Sequence, residues 1–205
     1  MKKLAALALT LAGAAVALVT FAITTAGASP PDELQAVKAA TARYHSFDQA
    51  KQAGYSIEGE PCVSAPPPPG LTGAMGIHAV NQTLALDATV DALRPDILLY
   101  LPDQNGNLEL IGVEYFMVAL ANTPDGPRPW FGLPNDPSDP SRNQMAPPPD
   151  GFATPPPSVL GHTFDGPMPG HNPSMPWHYD LHMWLWADNP AGEFAPFNPS
   201  LTCPS

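Results

Sequence analysis

The chain has 205 residues, with 8 basic and 19 acidic side chains, a formal net charge of −11 and 29 prolines. This charge argues against nucleic acid or an anionic membrane surface as a partner, because both are bound by clustered lysine and arginine. The prolines occur in clusters, so large parts of the chain are expected to form irregular but rigid loops.

The first 28 residues have the layout of a secretory signal peptide. Lys2 and Lys3 precede a run without charge or proline over residues 4–21, and the small residues that follow end in an A-x-A pattern. This pattern predicts cleavage after Ala28 and a single extracytoplasmic domain over residues 29–205. The alternative is a retained membrane anchor, because an apolar run of about 20 residues can cross a bilayer. No later segment predicts a membrane span.

Cys62 and Cys203 are the two cysteines of the chain. An exported protein folds in an oxidising compartment, so the best interpretation is one structural disulfide that fastens the C-terminal end to the start of the folded region. A catalytic or metal-binding cysteine pair is the alternative.

Residues 31–55 predict two short helices joined near His45. In the first half, apolar residues recur at helical spacing: Leu34, Val37, Ala40 and Tyr44. A second helix start follows, because Ser46 and Gln49 have the spacing of a capping box. Gly54 suits the position just after a helix end.

Two apolar runs, residues 97–101 and 108–120, flank a stretch rich in turn-forming residues. This arrangement predicts a β-hairpin. Residues 122–157 show no periodicity and are interpreted as a long surface excursion. Loops of this length are often functional, so it is either a lid or rim of a site or a proline-stiffened connection.

Residues 176–186 alternate between two faces, which predicts a strand. One face would carry His178, Asp180, His182, Trp184 and Trp186. A helix is the alternative, and it would also place His178 and His182 on one face. With the other elements, this strand predicts an α+β fold. Two N-terminal helices pack on a curved, mainly antiparallel β-sheet, which in one form is a partly closed barrel, with long proline-rich loops.

Glu114 is the residue that most clearly indicates a functional site. On the second hairpin strand it is predicted to share a face with Leu110, Phe116 and Val118, which is an apolar set. A carboxylate there is costly unless it is paired, hydrogen-bonded or bound to a metal. Three histidines are candidate partners: His78, His178 and His182. Such a set predicts a site for a divalent transition metal, namely zinc, copper, iron or manganese.

Two further residues are predicted to support this site. Asp180 either completes the ligand set or orients a histidine from outside it. Met75 is a candidate soft ligand for copper, with a gap-filling apolar role as the alternative. The remaining histidines are interpreted as packing or solvated loop residues: His45, His162 and His171.

Other interpretations remain open at this point. In one alternative, Glu114 accepts hydrogen bonds from aromatic or backbone groups or pairs with Arg43 or Arg94, and His78 is an ordinary core histidine. Three functions follow: a secreted metal-binding protein, which includes a metalloenzyme; a non-catalytic extracellular module whose aromatic-lined cavity takes a small apolar or saccharide ligand; and a structural envelope protein. The chain lacks the Gly-x-Ser-x-Gly pattern of α/β-hydrolases, a phosphate-binding glycine loop and a Cys-x-x-Cys pair.

Several short segments together resemble a known family. In chain order they are residues 42–45 (ARYH), 53–55 (AGY), 73–78 (GAMGIH) with Asn81, 113–115 (VEY), 181–186 (LHMWLW), 189–192 (NPAG) and 197–199 (FNP) before Cys203. This order resembles a family of secreted bacterial proteins for which no activity is established. The resemblance covers most of residues 29–205. It implies export and pairing of Cys62 with Cys203, and it implies nothing about His78 or Glu114.

Overall fold

The computed structural model describes residues 30–66, 70–134, 138–139, 143–171 and 174–204. The predicted signal peptide and its cleavage site lie outside the described residues. Within the described part of the chain, no helix combines the length and the apolar character needed to span a membrane.

The N-terminal region forms two helices with a junction where the sequence predicts one. Helix α1 spans Pro30–Thr41, a 3-10 turn spans Ala42–His45, and helix α2 spans Phe47–Gln52. The side chain of Ser46 makes no capping hydrogen bond, so the predicted capping box is not formed. Gly54 follows α2 with a φ of 98°, as expected for a glycine that ends a helix.

The main sheet has six strands in the order β1-β2-β3-β4-β10-β9, and every neighbouring pair is antiparallel. Its strands are β1 (Cys62–Ser64), β2 (Ala74–Val80), β3 (Ile97–Pro102), β4 (Leu108–Val118), β9 (Asp165–Met168) and β10 (His178–Met183). The sheet curls into a half-barrel, which confirms the predicted α+β fold.

The smaller elements connect these strands. Helix α3 (Gln82–Ala85) follows β2. Two short antiparallel pairs complete the description: β5 (Leu120–Ala121) with β6 (Arg128–Pro129), and β7 (Ser158–Val159) with β8 (His162–Thr163).

The predicted hairpin is confirmed as β3 and β4. Its turn is organised by Asp103, whose carboxylate accepts hydrogen bonds from the backbone N–H groups of Asn105 and Asn107. The second predicted strand is also confirmed, because residues His178–Met183 form β10. The helical alternative for this segment is wrong.

The two faces of the sheet carry two separate apolar clusters. The larger core contains helix residues together with one face of the strands, and includes Val37, Tyr44, Leu98, Val113, Tyr115 and Leu181. The smaller core lies on the other face and consists of Ala85, Ile97, Leu99, Ile111, Phe116 and Trp184. The Tyr100 hydroxyl donates to the carbonyl of Tyr44 at 2.6 Å, which fixes the N-terminal region to the first face.

A β-bulge at Ile111 changes which residues share a face with Glu114. Consecutive residues of β3 pair with Gly112 and with Leu110, so Ile111 is an extra residue in β4. Because the extra residue reverses the alternation, Leu110 packs in the larger core and Ile111 in the smaller one. The predicted placement of Leu110 beside Glu114 is therefore wrong, whereas that of Phe116 is confirmed.

Trp186 also departs from its predicted face. The strand β10 ends at Met183, so the alternation stops there. Trp184 still packs in the smaller core, but Trp186 packs against the larger core and its ring lies 4.4 Å from that of His45.

The C-terminal tail is bound to the start of the sheet. Cys62 and Cys203 form the predicted disulfide. Gly73 has a φ of 94°, and a Cβ atom there would lie 1.9 Å from the carbonyl oxygen of Asn198. Glycine is therefore required where the tail crosses, and the backbones of Ala74 and Asn198 then exchange hydrogen bonds.

The described parts of the long excursion pack against the start of β10. The indole N–H of Trp177 donates to the carbonyl of Gln144 at 3.0 Å, and the backbone N–H of Trp177 donates to the carbonyl of Trp130. Trp130 in turn donates to the carbonyl of Ala146 at 2.8 Å. These contacts fasten the excursion next to His178.

Candidate metal centre

Three strands of the sheet bring three predicted ligands together. His78 lies on β2, Glu114 on β4 and His182 on β10, and one ligand atom from each lies within 4.8 Å of the other two. Glu114 and His182 are direct partners across β4 and β10. His78 and Glu114 lie diagonally opposite each other across β3. On that strand His78 pairs with Leu99, whereas Glu114 pairs with Ile97.

The ligand atoms are close and lack hydrogen-bond partners. Oε2 of Glu114 lies 3.1 Å from Nε2 of His78 and 3.6 Å from Nε2 of His182. By their geometry, Oε2 of Glu114 and both ring nitrogens of His182 are buried without a hydrogen-bond partner. Buried polar groups in proteins are nearly always paired, and an unpaired one costs about 1–3 kcal/mol.

Bulk water has little access to these polar atoms, because the three side chains are buried. His78 is 7%, Glu114 3% and His182 2% exposed. The strand between β2 and β4 contributes apolar side chains of the smaller core to this face, among them Ile97 and Leu99, which pair with Glu114 and His78. The low polarity of these surroundings makes the charge on Glu114 dependent on the groups that contact it.

The electrostatics of the cluster keep Glu114 ionised. Burial raises the pKa of the Glu114 carboxyl, but the attraction of His182 and His78 outweighs burial and holds that pKa well below its ordinary value. Burial lowers the pKa of His78, and the adjacent Glu114 carboxylate outweighs this effect and raises it. The site therefore favours one negative charge facing positive charge, which protons on the imidazoles or a bound cation can supply.

The predicted alternative in which Glu114 pairs with an arginine is wrong. Arg43 donates to the hydroxyl of Tyr44, and Arg94 forms an ion pair with Asp91. Among the described residues, the ion-pair partners of Glu114 are His78 and His182.

The structure places His178, the fourth predicted ligand, outside this group. Its side chain is fully buried and its ring stacks on Phe116 at 4.8 Å. Nδ1 lies 3.1 Å from the carbonyl oxygen of Pro176, and Nε2 lies 3.5 Å from Oδ2 of Asp180 without a hydrogen bond. Alternation along β10 correctly predicted that His178 shares a face with His182. However, His178 lies two residues before Asp180 on this strand, and it contacts Asp180 rather than Glu114.

Asp180 lies between the two histidines of β10. Its Oδ1 is 3.9 Å from Nδ1 of His182, and both atoms are buried without a partner. Asp180 therefore lies outside the group of three, next to the ring nitrogen of His182 other than the one nearest Glu114.

Met75 is buried on the same strand as His78, at an irregularity in the pairing of β1 with β2. Val63 pairs with Gly76 and Ser64 pairs with Ala74, so Met75 is skipped. None of the described contacts joins it to the three ligands.

Two residues near the site were not expected from the sequence. His171 was interpreted as a solvated loop residue, and it is exposed, but its ring lies 6.1 Å from that of His178. Asp96 is buried and its Oδ2 accepts a hydrogen bond from the backbone N–H of Phe116 at 2.9 Å. Burial raises the pKa of Asp96 to about 6. Neither residue stands in a motif, so no local pattern signals its position.

The other two histidines have ordinary packing contacts. His45 lies against Trp186, and the ring of His162 stacks on that of Phe194 at 3.6 Å. His162 is exposed on β8, so it offers a control histidine outside the site.

Two clefts lie elsewhere on the described surface. One has a volume of about 440 Å³ and lies beside α2 and α3, and the other, of about 550 Å³, is bordered by Trp184 and Glu193. Neither is lined by a candidate ligand. Trp184 is 4% exposed and is the one aromatic residue at the second cleft, so that cleft is not the aromatic-lined cavity predicted for a small-ligand module.

No protein-family model matches the chain, and no curated protein or solved structure is significantly similar to it. The family resemblance therefore stays a prediction. What the molecule does has to be inferred from the site itself.

Proposed function

We propose that this is an exported protein that holds one divalent transition metal ion through His78, Glu114 and His182. The observation that carries the proposal is the buried Oε2 of Glu114, which has no hydrogen-bond partner and faces an imidazole nitrogen from each of two other strands. A cation at this position gives the carboxylate and both imidazoles a partner at once.

The spacing of the ligand atoms supports a single ion. Bonds of about 2.0–2.2 Å to a tetrahedral ion separate neighbouring ligand atoms by about 3.4 Å. The two distances from Oε2 of Glu114, 3.1 and 3.6 Å, lie on either side of this value. The third pair, one nitrogen from each imidazole, lies within 4.8 Å, so movements of side chains already in place would complete the site.

The donor set supports zinc or iron within the predicted group of metals. Two imidazoles and one carboxylate occur at catalytic zinc sites, which keep a fourth position open, and at mononuclear iron(II) sites. An ion bound in this way would act as a Lewis acid or would activate a water molecule at its open position. The proposal therefore extends to a metalloenzyme.

Export is supported by the disulfide between Cys62 and Cys203, since such bonds are characteristic of oxidising compartments. The predicted signal peptide also supports export.

A metal titration tests the proposal. The purified protein is stripped with a chelator and titrated with Zn²⁺, Fe²⁺, Mn²⁺ or Cu²⁺ while bound metal and the melting temperature are measured. We expect one ion per chain, and at a free concentration of 100 times Kd a stabilisation of about 2.7 kcal/mol. For a chain of this size that raises Tm by roughly 5–10 °C.

Matched variants locate the ion. His78→Ala with His182→Ala should abolish stoichiometric binding, whereas His162→Ala should leave it unchanged. If the wild-type protein binds none of the four metals, or if the double variant binds as well as the wild type, the proposal fails.

A further inference from the structure

The cleft of about 440 Å³ beside α2 and α3 is a second place where polar side chains converge. Its lining includes two tyrosines, Tyr44 and Tyr55, and five other polar side chains: Arg43, Gln49, Gln52, Asn81 and Arg94. The volume lies within the range of small-molecule sites. The cleft shares no lining residue with the candidate metal centre, so its chemistry is a separate question.

The charge of this cleft is opposite to that of the whole protein. The chain has 19 acidic residues and four arginines, of which Arg43 and Arg94 line the cleft. None of the lining residues is acidic, and among the described residues the one carboxylate paired with a lining arginine is Asp91, which offsets the charge of Arg94 and leaves that of Arg43. A local positive charge on a protein of net charge −11 attracts small anions that the rest of the surface repels.

Arg43 keeps hydrogen-bond donors available for such an anion. Its Nη2 donates to the hydroxyl of Tyr44 at 2.6 Å, and its Cζ lies 4.7 Å from the centre of that ring. Among the described residues no carboxylate forms an ion pair with Arg43. The aromatic ring thus orients the guanidinium without neutralising it.

Arg94 is held in a way that leaves its outer edge free. Its Nε donates to Oδ2 of Asp91 at 2.9 Å, and the other oxygen of Asp91 accepts from the backbone N–H of Leu93. The contact with Asp91 therefore uses the inner nitrogen of the guanidinium, and the two terminal amino groups remain for bidentate binding of an oxyanion.

Two other lining side chains, those of Asn81 and Tyr55, are fixed by internal hydrogen bonds. Nδ2 of Asn81 donates to the carbonyl of Ala53 at 3.0 Å, and Oδ1 of Asn81 accepts from the backbone N–H of Thr83. The hydroxyl of Tyr55 donates to the carbonyl of Pro95 at 2.7 Å. A wall that is already ordered lowers the entropy cost of binding a ligand.

We propose that this cleft binds a small organic anion, a carboxylate or a phosphate ester. Its charged group contacts Arg43 and Arg94, and its apolar part lies against Leu84 and Leu93, the latter 49% exposed. The exposed side-chain amides of Gln49 and Gln52 on α2 can bind further polar groups of the ligand. This site does not depend on the metal centre.

The test uses benzoate and phenyl phosphate as probes, with benzamide as the neutral analogue of benzoate. Each is titrated into the chelator-treated protein, and binding is followed by two-dimensional NMR of the backbone amides. We expect saturable shifts at Ala53, Leu84 and Leu93 with the anions and none with benzamide. The probe that binds more tightly distinguishes a carboxylate site from a phosphate site.

Arginine variants provide the matched comparison. Arg43→Gln and Arg94→Gln should each weaken binding of the preferred anion about tenfold, because each removes a charged hydrogen bond. Arg128→Gln is the control, since Arg128 is exposed and paired with Asp125 at the same three-residue spacing as Arg94 with Asp91. The proposal is overturned if neither anion saturates, if benzamide binds equally well, or if Arg128→Gln weakens binding as much as the cleft variants do.

Discussion

Glu114 and His182 face each other directly across β4 and β10, with Oε2 of Glu114 lying 3.6 Å from Nε2 of His182. The contact is set by strand register, because a slip of one residue would turn either side chain to the other face of the sheet. The two ligands therefore stand on rigid backbone rather than on a loop. Side chains held in this way are preorganised for binding in the absence of a ligand.

Replacing the central carboxylate should remove metal binding without unfolding the protein. Glu114→Gln keeps the shape of the side chain but loses its charge, so we expect metal affinity to fall by more than about 100-fold. Calorimetric titration with Zn²⁺ measures this fall. Glu109→Gln is the control, since Glu109 lies on the same strand and is exposed. Equal affinities of the two variants would show that Glu114 is not a ligand.

Asp180→Asn should weaken metal binding by about 10–100-fold, because it removes the negative charge that lies 3.9 Å from Nδ1 of His182 and favours positive charge at that ligand. The same titration gives the affinity, and imidazole ¹⁵N shifts of His182 report the change at Nδ1 directly. An unchanged affinity with unchanged shifts would remove Asp180 from the site. A loss as large as that of Glu114→Gln would instead make Asp180 a ligand.

The stability of the protein should depend on pH through Asp96. Burial raises its folded-state pKa from the ordinary 3.8 to about 6. Its ionisation is therefore harder in the folded state, so stability is lost as pH rises from about 4 to 6. The difference between the two pKa values corresponds to about 3 kcal/mol.

Asp96→Asn should abolish this loss, because an amide oxygen can still accept from the N–H of Phe116 and does not titrate. Urea unfolding of both proteins at pH 4 and pH 7 measures the free energy of unfolding. We expect the variant to gain up to about 3 kcal/mol relative to the wild type between these pH values. A constant difference across this range would contradict the assignment.

The disulfide should contribute strongly to stability. It closes a loop with a sequence separation of 141 residues, for which the chain-entropy model gives about 5 kcal/mol. Cys62→Ser with Cys203→Ser should lower the free energy of unfolding by up to this amount in denaturant titrations. A loss below about 1 kcal/mol would mean that the contacts of Asn198 with Ala74 hold the tail without the bond.

The parts of this fold that follow local periodicity were predictable from the sequence. Alternation placed Asp180 and His182 on one face of a strand and Glu114 on the apolar face of another, and the turn around Asp103 predicted the hairpin. That these two strands are neighbours was not predicted. His78 joined the candidate set because it follows a glycine-containing stretch, and the structure shows that Gly73 makes room there for the tail at Asn198.

The remaining features depend on tertiary contacts that leave no local pattern. The bulge at Ile111 moved Leu110 to the larger core, and the end of β10 at Met183 released Trp186 from its expected face. The separation of His178 from the three ligands depends on distances across the sheet, which residue types do not encode.

The most direct test of the metal proposal is anomalous diffraction from crystals of the metal-loaded protein at the absorption edge of the bound ion. We predict one peak per chain, about 2.0–2.2 Å from Nε2 of His78, Nε2 of His182 and Oε2 of Glu114. Crystals of metal-saturated protein with no peak between these three atoms, or with the ion held by other residues, would contradict it.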